Sequence, residues 1–484
     1  MTIENLYEIY LRHPSIQTDT RQLRRGDLFF ALKGPNFNGN QFAAKALELG
    51  AAYAILDETP ASPDETPAKA DPPTDLVPPE VSDRLIPVPD VLTTLQALAL
   101  HHRCQFNIPF IAITGSNGKT TTKELIHAVL SSTFTTYTTK GNLNNHIGIP
   151  LTILSVRPDA QLVVIEMGAN HQKEIEGYCA YTLPTHGIIT NVGKAHLEGF
   201  GGLEGVKKGK GELYDFLRAT HGTAFVLQDS PDLIEMSHGI PNLITYGTHG
   251  ADFVGAATAS GETTFLHVDI THGASTGPIH TQLVGDYNLP NVLAAVAVGK
   301  HFGVPDNRIR KSIEVYTPSN SRSQLIEKDG NHIILDAYNA NPSSMRAAIE
   351  NFARLPITIP GHKTPGTSRN RTIPDHPIPN TLPDHPTPGT SLDHKILILG
   401  AMAELGPESL AEHQSIIDLI AQYPWQQVVL VGGDFRKLSH PYLSFANSKE
   451  AGHWLRGVGL TDAYLLIKGS RSQKMEEVLL PLNA

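Results

Sequence analysis

The chain has 484 residues, 40% of them hydrophobic and 18% charged, which excludes a disordered chain and predicts about three domains. Lys and Arg number 38 against 48 Asp and Glu, and the net charge of −10 excludes a general nucleic-acid coat, because phosphate contacts need a basic face. Two cysteines exclude a disulfide scaffold and favour a reducing compartment, and the absence of a signal peptide and of long apolar runs predicts a cytoplasmic protein without membrane insertion.

The first block, residues 1–104, combines short apolar runs with one helix-like stretch. Apolar runs at 26–32 and 51–56 predict strands, and the pattern at 41–49 predicts a helix. Seven prolines fall within residues 58–80, where Asp, Ala and Thr supply most of the remaining positions. This composition predicts a solvated loop.

The second block, residues 105–315, alternates apolar runs of strand length with helical patterns. Strands alternating with helices predict a parallel α/β sheet, because parallel neighbours need a crossover connection. The predicted strands are 110–113, 162–165 and 187–189, and the predicted helices are 121–130 and 291–300.

The third block, residues 316–484, predicts a second parallel α/β sheet interrupted by a biased insertion at 358–394. Within the insertion, Pro-Gly-Thr-Ser and Pro-Asp-His-Pro each occur twice, which predicts a disordered surface segment. Its His376 and His385 raise the alternative of a metal site, but composition alone explains them. The predicted strands are 332–335, 395–399, 428–431 and 464–467.

The segment at 114–121, Thr-Gly-Ser-Asn-Gly-Lys-Thr-Thr, carries the strongest chemical signal. It follows a predicted strand and opens a predicted helix, which is the setting of a phosphate-binding loop. Gly115 and Gly118 let the backbone approach an anion closely. Lys119 can neutralise phosphate charge, and the Thr120 hydroxyl can ligate Mg²⁺. Only two residues separate the glycines instead of the usual four, so a chance Gly-Lys-Thr in a loop is the alternative.

Further polar side chains follow the predicted strands of the second block. Glu166 ends one run, and Asn191 and His196 follow another, at the sheet edge where α/β proteins bind ligands. A carboxylate beside a triphosphate is a plausible Mg²⁺ ligand, and His196 could ligate a second divalent ion, although histidine is less typical for Mg²⁺ than for softer metals. For His196 the alternative is a loop histidine that forms a local hydrogen bond.

These segments resemble the Mur ligases, ATP-dependent amide-forming enzymes of cell-wall precursor synthesis. The compact phosphate loop is similar to the family's version, and further matching segments follow in the same order along the chain. They are Gly-Asn-Leu-Asn-Asn-His-Ile-Gly at 141–148, Glu-Met-Gly-Ala-Asn at 166–170, Asn-Val-Gly-Lys-Ala-His-Leu-Glu at 191–198, Lys-Gly-Glu-Leu-Tyr at 210–214, Gly-Asp-Tyr-Asn-Leu-Pro-Asn at 285–291 and Asp-Ala-Tyr-Asn-Ala-Asn-Pro at 336–342.

The resemblance implies a three-domain α/β fold. It consists of an N-terminal UDP-sugar-binding domain (1–104), a central ATPase-like domain with a parallel sheet (105–315) and a C-terminal Rossmann-like domain (316–484). Within the family, Ala-Glu-Leu-Gly at 403–406 and Lys-Gly-Ser-Arg-Ser at 468–472 are most similar to members that join D-alanyl-D-alanine to UDP-N-acetylmuramoyl-tripeptide. The implied reaction forms an acyl phosphate at the expense of ATP, with Mg²⁺ or Mn²⁺, and we expect a monomer.

The resemblance also implies roles for single residues. The expected catalytic residues are Lys119, Glu166, His196 and Lys210, and the expected metal ligands are Thr120, Glu166, His196 and a carbamylated Lys210. The expected ATP contacts are Gly115, Ser116, Asn117, Gly118, Lys119, Thr120, Thr121, Asn288, Asn291, Arg322 and Asp336. The expected substrate contacts are Asp19, Thr20, Arg21, Asn142, Asn144, Asn145, Asn170, Lys468 and Arg471.

Several of these residues have plainer alternatives. Lys210 could belong to a solvated basic patch, Arg322 to a surface ion pair, and Asp336 to a loop cap. Asn288 could cap a helix, and the asparagines at 142–145 could stabilise a turn. If the implied roles hold, the third domain closes over ATP that is bound to the second, completing the site.

Three other functions compete with this interpretation. Folylpolyglutamate synthetase is a similar amide ligase, but it lacks a domain before the phosphate loop. Another Mur ligase would add lysine or diaminopimelate. A non-catalytic nucleotide-binding module is a third possibility, against which the intact set of polar residues argues.

Overall fold

The computed structural model describes residues 1–58, 83–258, 264–319, 321–355 and 394–481. The predicted Pro-rich loop at 58–80, apart from its first residue, lies outside the described residues. So does the predicted insertion at 358–394, apart from its last residue, together with His376 and His385. Among the residues that are described, no helix is both long and apolar enough to cross a membrane.

The first sheet has four parallel strands in the order β1-β2-β5-β6, and β3 and β4 form a separate hairpin. The two predicted strands are present, and the predicted helix is shortened because a 3₁₀ turn at Gly39–Phe42 precedes it. The elements are β1 Ile16–Gln17, β2 Leu28–Phe30, β3 Lys33–Gly34, β4 Phe37–Asn38, β5 Tyr53–Leu56, β6 Leu85–Pro87, α1 Ile3–Arg12, α2 Ala43–Glu48 and α3 Val91–Arg103.

The second sheet has nine strands in the order β15-β14-β13-β12-β11-β10-β7-β9-β8. Its strands are β7 Phe110–Thr114, β8 Thr136–Thr138, β9 Leu162–Glu166, β10 His186–Ile189, β11 Thr223–Leu227, β12 Asn242–Gly247, β13 Phe253–Thr258, β14 Phe265–His272 and β15 Ile279–Val284.

The predicted parallel sheet of the second block is confirmed, and at one edge it carries antiparallel strands that the sequence did not predict. Strands β13, β14 and β15 pair antiparallel, and six residues separate each strand from the next. A connection this short suits a direct return, which reverses the strand direction. At the start of β14, buried and part-exposed residues alternate, which is typical of an antiparallel strand with one covered face.

Helices cover the parallel part of this sheet. In α4, the apolar residues that share one face, Leu125, Ile126, Val129 and Leu130, are all fully buried. Burial of such a stripe is the main source of stability for a helix packed on a sheet. The helices are α4 Lys119–Ser131, α5 Gly148–Leu154, α6 Glu174–Thr182, α7 Leu197–Phe200, α8 Leu203–Ala219, α9 Pro231–Met236, α10 Leu289–His301 and α11 Asp306–Val315.

The third sheet has six strands in the order β16-β17-β21-β18-β19-β20. It is parallel except for β16, which forms a hairpin with β17 and makes one edge antiparallel. The elements are β16 Gln324–Lys328, β17 Asn331–Asp336, β18 Lys395–Gly400, β19 Gln427–Val431, β20 Leu443–Phe445, β21 Tyr464–Lys468, α12 Pro342–Arg354, α13 Ser409–Ile420 and α14 Ser448–Val458.

Strand register brings the ends of the central strands together. Ile113 pairs with Glu166 across β7 and β9, and Thr114 pairs with Ile189 across β7 and β10. In the third sheet, the last residues of β17 and β21, Asp336 and Lys468, are also paired. The loops that follow these strands therefore emerge at one edge of each sheet. The three sheets define three units, whereas the boundaries at 104/105 and 315/316 stay predictions.

Candidate active site

A cavity of about 700 Å³ lies between the central and third units, at the carboxyl ends of their strands. It combines the loop that follows β7 with side chains that lie more than 150 residues further along the chain. Most of the predicted site residues line it: Ser116, Asn117, Gly118, Lys119, Thr120, Thr121, Asn142, Asn144, Asn145, Glu166, Asn170, His196, Asn288, Asn291, Arg322, Asp336 and Lys468.

The side chain of Lys119 folds back and binds the backbone of the phosphate loop. Lys119 Nζ donates to the carbonyl oxygens of Gly115 at 2.7 Å and Ser116 at 3.2 Å. Desolvation and the positive charge of Arg322 lower the pKa of Lys119, while the negative charge of Glu166 partly offsets them. An anion in the cavity would oppose both effects, so this ammonium group favours a negatively charged ligand.

The two glycines of the loop occupy positions that a side chain would disturb. Gly118 has φ +79° and precedes α4, and a Cβ atom there would lie 2.8 Å from Asn291 Oδ1. Gly115 does not line the cavity, but a Cβ atom at this residue would lie 2.0 Å from Thr190 Oγ1. The loop therefore packs directly against the segments after β10 and at the start of α10.

Glu166 is buried at the end of β9 and faces the start of α4. Its Oε1 accepts hydrogen bonds from Thr120 Oγ1 at 3.1 Å and Asn144 Nδ2 at 2.8 Å. Its Oε2 has no hydrogen-bond partner, and the buried Lys123 Nζ lies 4.0 Å away. A buried carboxylate oxygen without a partner is costly unless a cation or donor joins it.

This arrangement fits a magnesium ion that phosphate helps to hold. Within the described ranges, no three His, Cys, Asp or Glu side chains come together as a metal site. Mg²⁺ in nucleotide sites uses one or two protein oxygens and takes the rest from phosphates and water. Thr120 Oγ1 and the unpartnered oxygen of Glu166 supply that number of oxygens.

Lys210 does not line the cavity, although it contacts Ala169, which does, and it is almost fully buried in α8. Its Nζ donates to Ala169 O at 3.0 Å and lies 4.9 Å from the centre of the Phe200 ring. Desolvation and the nearby charge of Lys119 hold its pKa well below the usual value. The alternative of a solvated basic patch therefore fails for Lys210, while Lys208 on the same helix is exposed.

His196 lines the cavity and contacts the third unit. Its backbone has φ +54°, and its Nδ1 contacts the carboxylate of Glu404. Hydrogen bonding to His196 lowers the pKa of Glu404. The alternative of a purely local hydrogen bond is therefore incomplete, because the partner lies more than 200 residues away.

Arg322 and Asp336 bring the third unit into the cavity. The Arg322 guanidinium lies 3.5 Å from the centre of the Tyr338 ring, a stacking contact and not the surface ion pair of the alternative interpretation. Asp336 Oδ2 pairs with Lys468 Nζ at 2.5 Å, and Asp336 Oδ1 accepts from Ser323 N at 3.3 Å. Asp336 thus closes a loop, and it also lines the cavity.

The asparagines of the site differ in the hydrogen bonds that their side chains already form. Asn291 Oδ1 accepts from Thr122 Oγ1, and its Nδ2 donates to Asn288 Oδ1. Asn288 makes no side-chain cap at α10, so the capping alternative fails. Asn145 Oδ1 accepts from two backbone N–H groups and stabilises the turn before α5, as the alternative predicts.

Four predicted substrate residues lie away from the cavity. Asp19, Thr20 and Arg21 belong to a partly exposed turn of the first unit, where Asp19 and Arg21 pair with each other. Arg471 pairs with Glu476 on the surface of the third unit. The cavity does not include these residues, so any role in binding belongs to a different part of a long ligand.

Sequence reasoning missed several residues at this site. Lys123 contacts Glu166, and Glu404 contacts His196, both of which are predicted metal ligands. Tyr287 and Tyr338 line the cavity. Asn341 Nδ2 donates to Asn117 Oδ1 at 2.8 Å and joins the third unit to the phosphate loop. The two tyrosines and Asn341 lie inside segments that the resemblance had already marked, and only their individual contacts were unpredictable.

The fold and the cavity define a class of protein: an α/β enzyme that binds a nucleoside triphosphate between a phosphate loop and a second α/β unit. Residues 14–103 match the Mur ligase family catalytic domain, and residues 113–299 match the Mur ligase middle domain. The relatives described next are similar along nearly the whole chain, and this chain belongs to the Mur ligase family.

Two curated relatives carry the name UDP-N-acetylmuramoyl-tripeptide–D-alanyl-D-alanine ligase. The Bacillus subtilis protein is 30% identical, over 98% of this chain and 93% of its own length. The Escherichia coli protein is 31% identical, over 96% of this chain and 92% of its own length. A crystal structure of MurF from Acinetobacter baumannii superimposes with a TM-score of 0.78 at 27% identity, covering 99% of this chain and 97% of that one.

Proposed function

We propose that this chain is the ATP-dependent ligase that joins D-alanyl-D-alanine to UDP-N-acetylmuramoyl-tripeptide in peptidoglycan precursor synthesis. The observation that carries the proposal is the shared cavity, in which the phosphate loop and Glu166 face Arg322 and Asp336 of the third unit. The names of the relatives supply the substrates.

The first step is transfer of a phosphoryl group from ATP to the peptide carboxylate. A carboxylate oxygen attacks the γ-phosphorus, and the bond between that phosphorus and the bridging oxygen of the β-phosphate breaks. The products are ADP and an acyl phosphate. Two anions must approach each other in this step. Lys119, the backbone N–H groups at the start of α4 and the planar fork of Arg322 offset their repulsion.

The second step forms the amide bond. The neutral amino group of D-alanyl-D-alanine attacks the acyl carbon, loses a proton, and inorganic phosphate leaves as the C–O bond breaks. The carboxylate alone could not react in this way, because oxide is a poor leaving group. Placing both reactants in one cavity supplies the orientation that such a step requires.

A bound Mg²⁺ or Mn²⁺ would neutralise phosphate charge and orient the triphosphate. Thr120 and Glu166 are the residues that we expect to hold it, with His196 and a modified Lys210 at a second ion. The unpartnered oxygen of Glu166 supports the first assignment.

We also propose that Lys210 is carbamylated. An ammonium group beside a metal ion would be repelled, whereas a carbamate reverses the charge and offers oxygen ligands. The reaction joins the neutral amine to CO₂ through a new C–N bond and releases one proton. Burial favours the neutral amine, because it holds the Lys210 pKa well below its ordinary value.

We propose the substrate contacts from the predicted residues that line the cavity and from those that do not. Asn142, Asn144 and Asn170 face the cavity and suit the peptide end of the acceptor. We assign the UDP-sugar end to the first unit, with Asp19, Thr20 and Arg21 as predicted contacts. Lys468 and Arg471 stay predicted substrate contacts, and the monomeric state and cytoplasmic location stay predictions.

The test is phosphate release from ATP by the full chain. We expect release only when UDP-N-acetylmuramoyl-tripeptide and D-alanyl-D-alanine are both present. Release with free lysine or diaminopimelate and the corresponding dipeptide precursor would favour another Mur ligase, and release with a folate and glutamate would favour the folate enzyme. Binding of ATP without release under any of these conditions would favour a non-catalytic module.

A further inference from the structure

A contact between the central and third units lies beside the cavity and involves His196 and Glu404. His196 lines the cavity, while Glu404 lies in the loop between β18 and α13. The Glu404 carboxylate contacts His196 Nδ1, and that nitrogen has no other hydrogen-bond partner among the described residues. Nδ1 is therefore directed at the third unit, and Nε2 is the ring nitrogen that can serve a ligand in the cavity.

The backbone holds both residues in an uncommon conformation. His196 has φ +54° and Glu404 has φ +61°, the left-handed region that residues with a Cβ atom rarely adopt. Such residues persist where the surrounding structure fixes them, and they cluster at functional sites. Each of the two loops therefore aims one side chain at the other.

The two loops also fit each other through backbone atoms. Glu198 N donates to Glu404 O at 3.2 Å, next to the side-chain contact. Gly406 packs so closely that a Cβ atom there would lie 3.2 Å from the Glu198 side chain. The carboxylate thus reaches His196 only when this loop of the third unit is docked.

We propose that Glu404 is a positioning residue, which fixes the ring of His196 with Nε2 toward a divalent ion bound in the cavity. A histidine that binds a metal through one nitrogen usually donates the other N–H to a carboxylate, which fixes its tautomer and raises its basicity. Here the carboxylate comes from another unit, so docking of the third unit and completion of the ion site are one event. The inference rests on one part of the proposed function, which is that ATP and a divalent ion bind in this cavity.

The test measures Mn²⁺ binding, not catalysis. Free Mn²⁺ is followed by electron paramagnetic resonance during titration of the full chain with the β,γ-imido analogue of ATP, without peptide substrates. Glu404→Ala should weaken Mn²⁺ binding about 10–100-fold, the usual cost of losing such a partner. Glu404→Gln keeps an acceptor but not the charge and should fall between this variant and the wild type.

A matched control comes from the same segment. Glu408 is exposed and its side chain makes no cap at α13, so Glu408→Gln removes one negative charge without touching His196. It should bind Mn²⁺ like the wild type. Thermal unfolding followed by circular dichroism verifies that each variant is folded before its titration is used.

Two results would overturn the proposal. One is Mn²⁺ affinity of Glu404→Ala within twofold of the wild type. The other is a further loss of Mn²⁺ affinity when Glu404→Ala is added to His196→Ala. If Glu404 acts through His196, the second substitution should cost nothing more. Because no peptide substrate is present, loss of the proposed amide-forming activity alone would leave these titrations intact, and the two failures can be told apart.

Discussion

Lys210 illustrates how burial decides the chemistry of a single side chain. Its ammonium form is disfavoured by desolvation and by the charge of Lys119, so the pKa of Lys210 lies well below its ordinary value and the neutral amine is favoured. A neutral amine is a nucleophile, and CO₂ is small enough to reach a buried site. The same burial would leave an unmodified lysine with one hydrogen bond, to Ala169 O.

If Lys210 is carbamylated as proposed, Lys210→Ala should abolish phosphate release, because the variant has no carbamate oxygens. Short carboxylic acids such as acetate or propionate should restore part of the activity, because they can enter the vacated space and supply an oxygen ligand. The measurement is the rate of phosphate release against carboxylate concentration.

Lys208→Ala is the matched control, because Lys208 is exposed on the same helix two residues away. It should retain wild-type activity and show no response to added carboxylate. Full activity of Lys210→Ala without any acid would refute the carbamate.

At the scale of elements, the phosphate loop shows why a glycine precedes α4. Gly118 has φ +79°, and the left-handed conformation costs a residue with a Cβ atom about 1–2 kcal/mol. Its Cα also faces Asn291, whose side-chain oxygen is held by Thr122. Conformation and close approach are therefore two separate requirements at one position.

A pair of glycines separates these requirements. Gly118 and Gly303 share φ +79°, but a Cβ atom at Gly303 would meet nothing within 4 Å. Gly303→Ala should lower the free energy of unfolding by about 1–2 kcal/mol, and Gly118→Ala should lower it by at least as much. Only Gly118→Ala should also weaken ATP binding, by about tenfold or more, because it displaces Asn291 and disturbs the loop.

Denaturant unfolding and calorimetric titration with ATP measure the two quantities. Equal ATP affinity of the two variants would mean that the contact with Asn291 has no part in forming the loop.

The elements that sequence could predict are those whose signal is local. The strand before the loop, the helix α4 and the positions of Glu166 and His196 after their strands all follow from apolar patterns and from strand order. The antiparallel edge formed by β13–β15 could not be predicted, since strand direction depends on the connection and not on the strand's own residues. Glu404 was equally out of reach, because its contact with His196 depends on how two units dock.

At the scale of the whole molecule, polar contacts carry much of the seam between the central and third units. Asn117 meets Asn341, Lys194 N donates to Ser343 Oγ, and His196 meets Glu404. Such interfaces exchange their hydrogen bonds with water at little net cost, so domain motion is the expected behaviour. A closing and opening third unit is consistent with an enzyme that must admit ATP and release ADP.

Lys194 provides a test of this seam, because its ammonium group pairs with Glu412 across it. Lys194→Glu replaces this attraction with repulsion and should oppose docking by about 1 kcal/mol, which corresponds to about a fivefold higher KM for ATP. Lys207→Glu makes the same charge change in α8, where Lys207 pairs with Asp232 away from the seam, and should leave this KM unchanged. Affinity for UDP-N-acetylmuramoyl-tripeptide, measured without nucleotide, should be the same in both variants. A KM for ATP that stays at the wild-type value in Lys194→Glu would mean that docking of the third unit does not limit ATP binding.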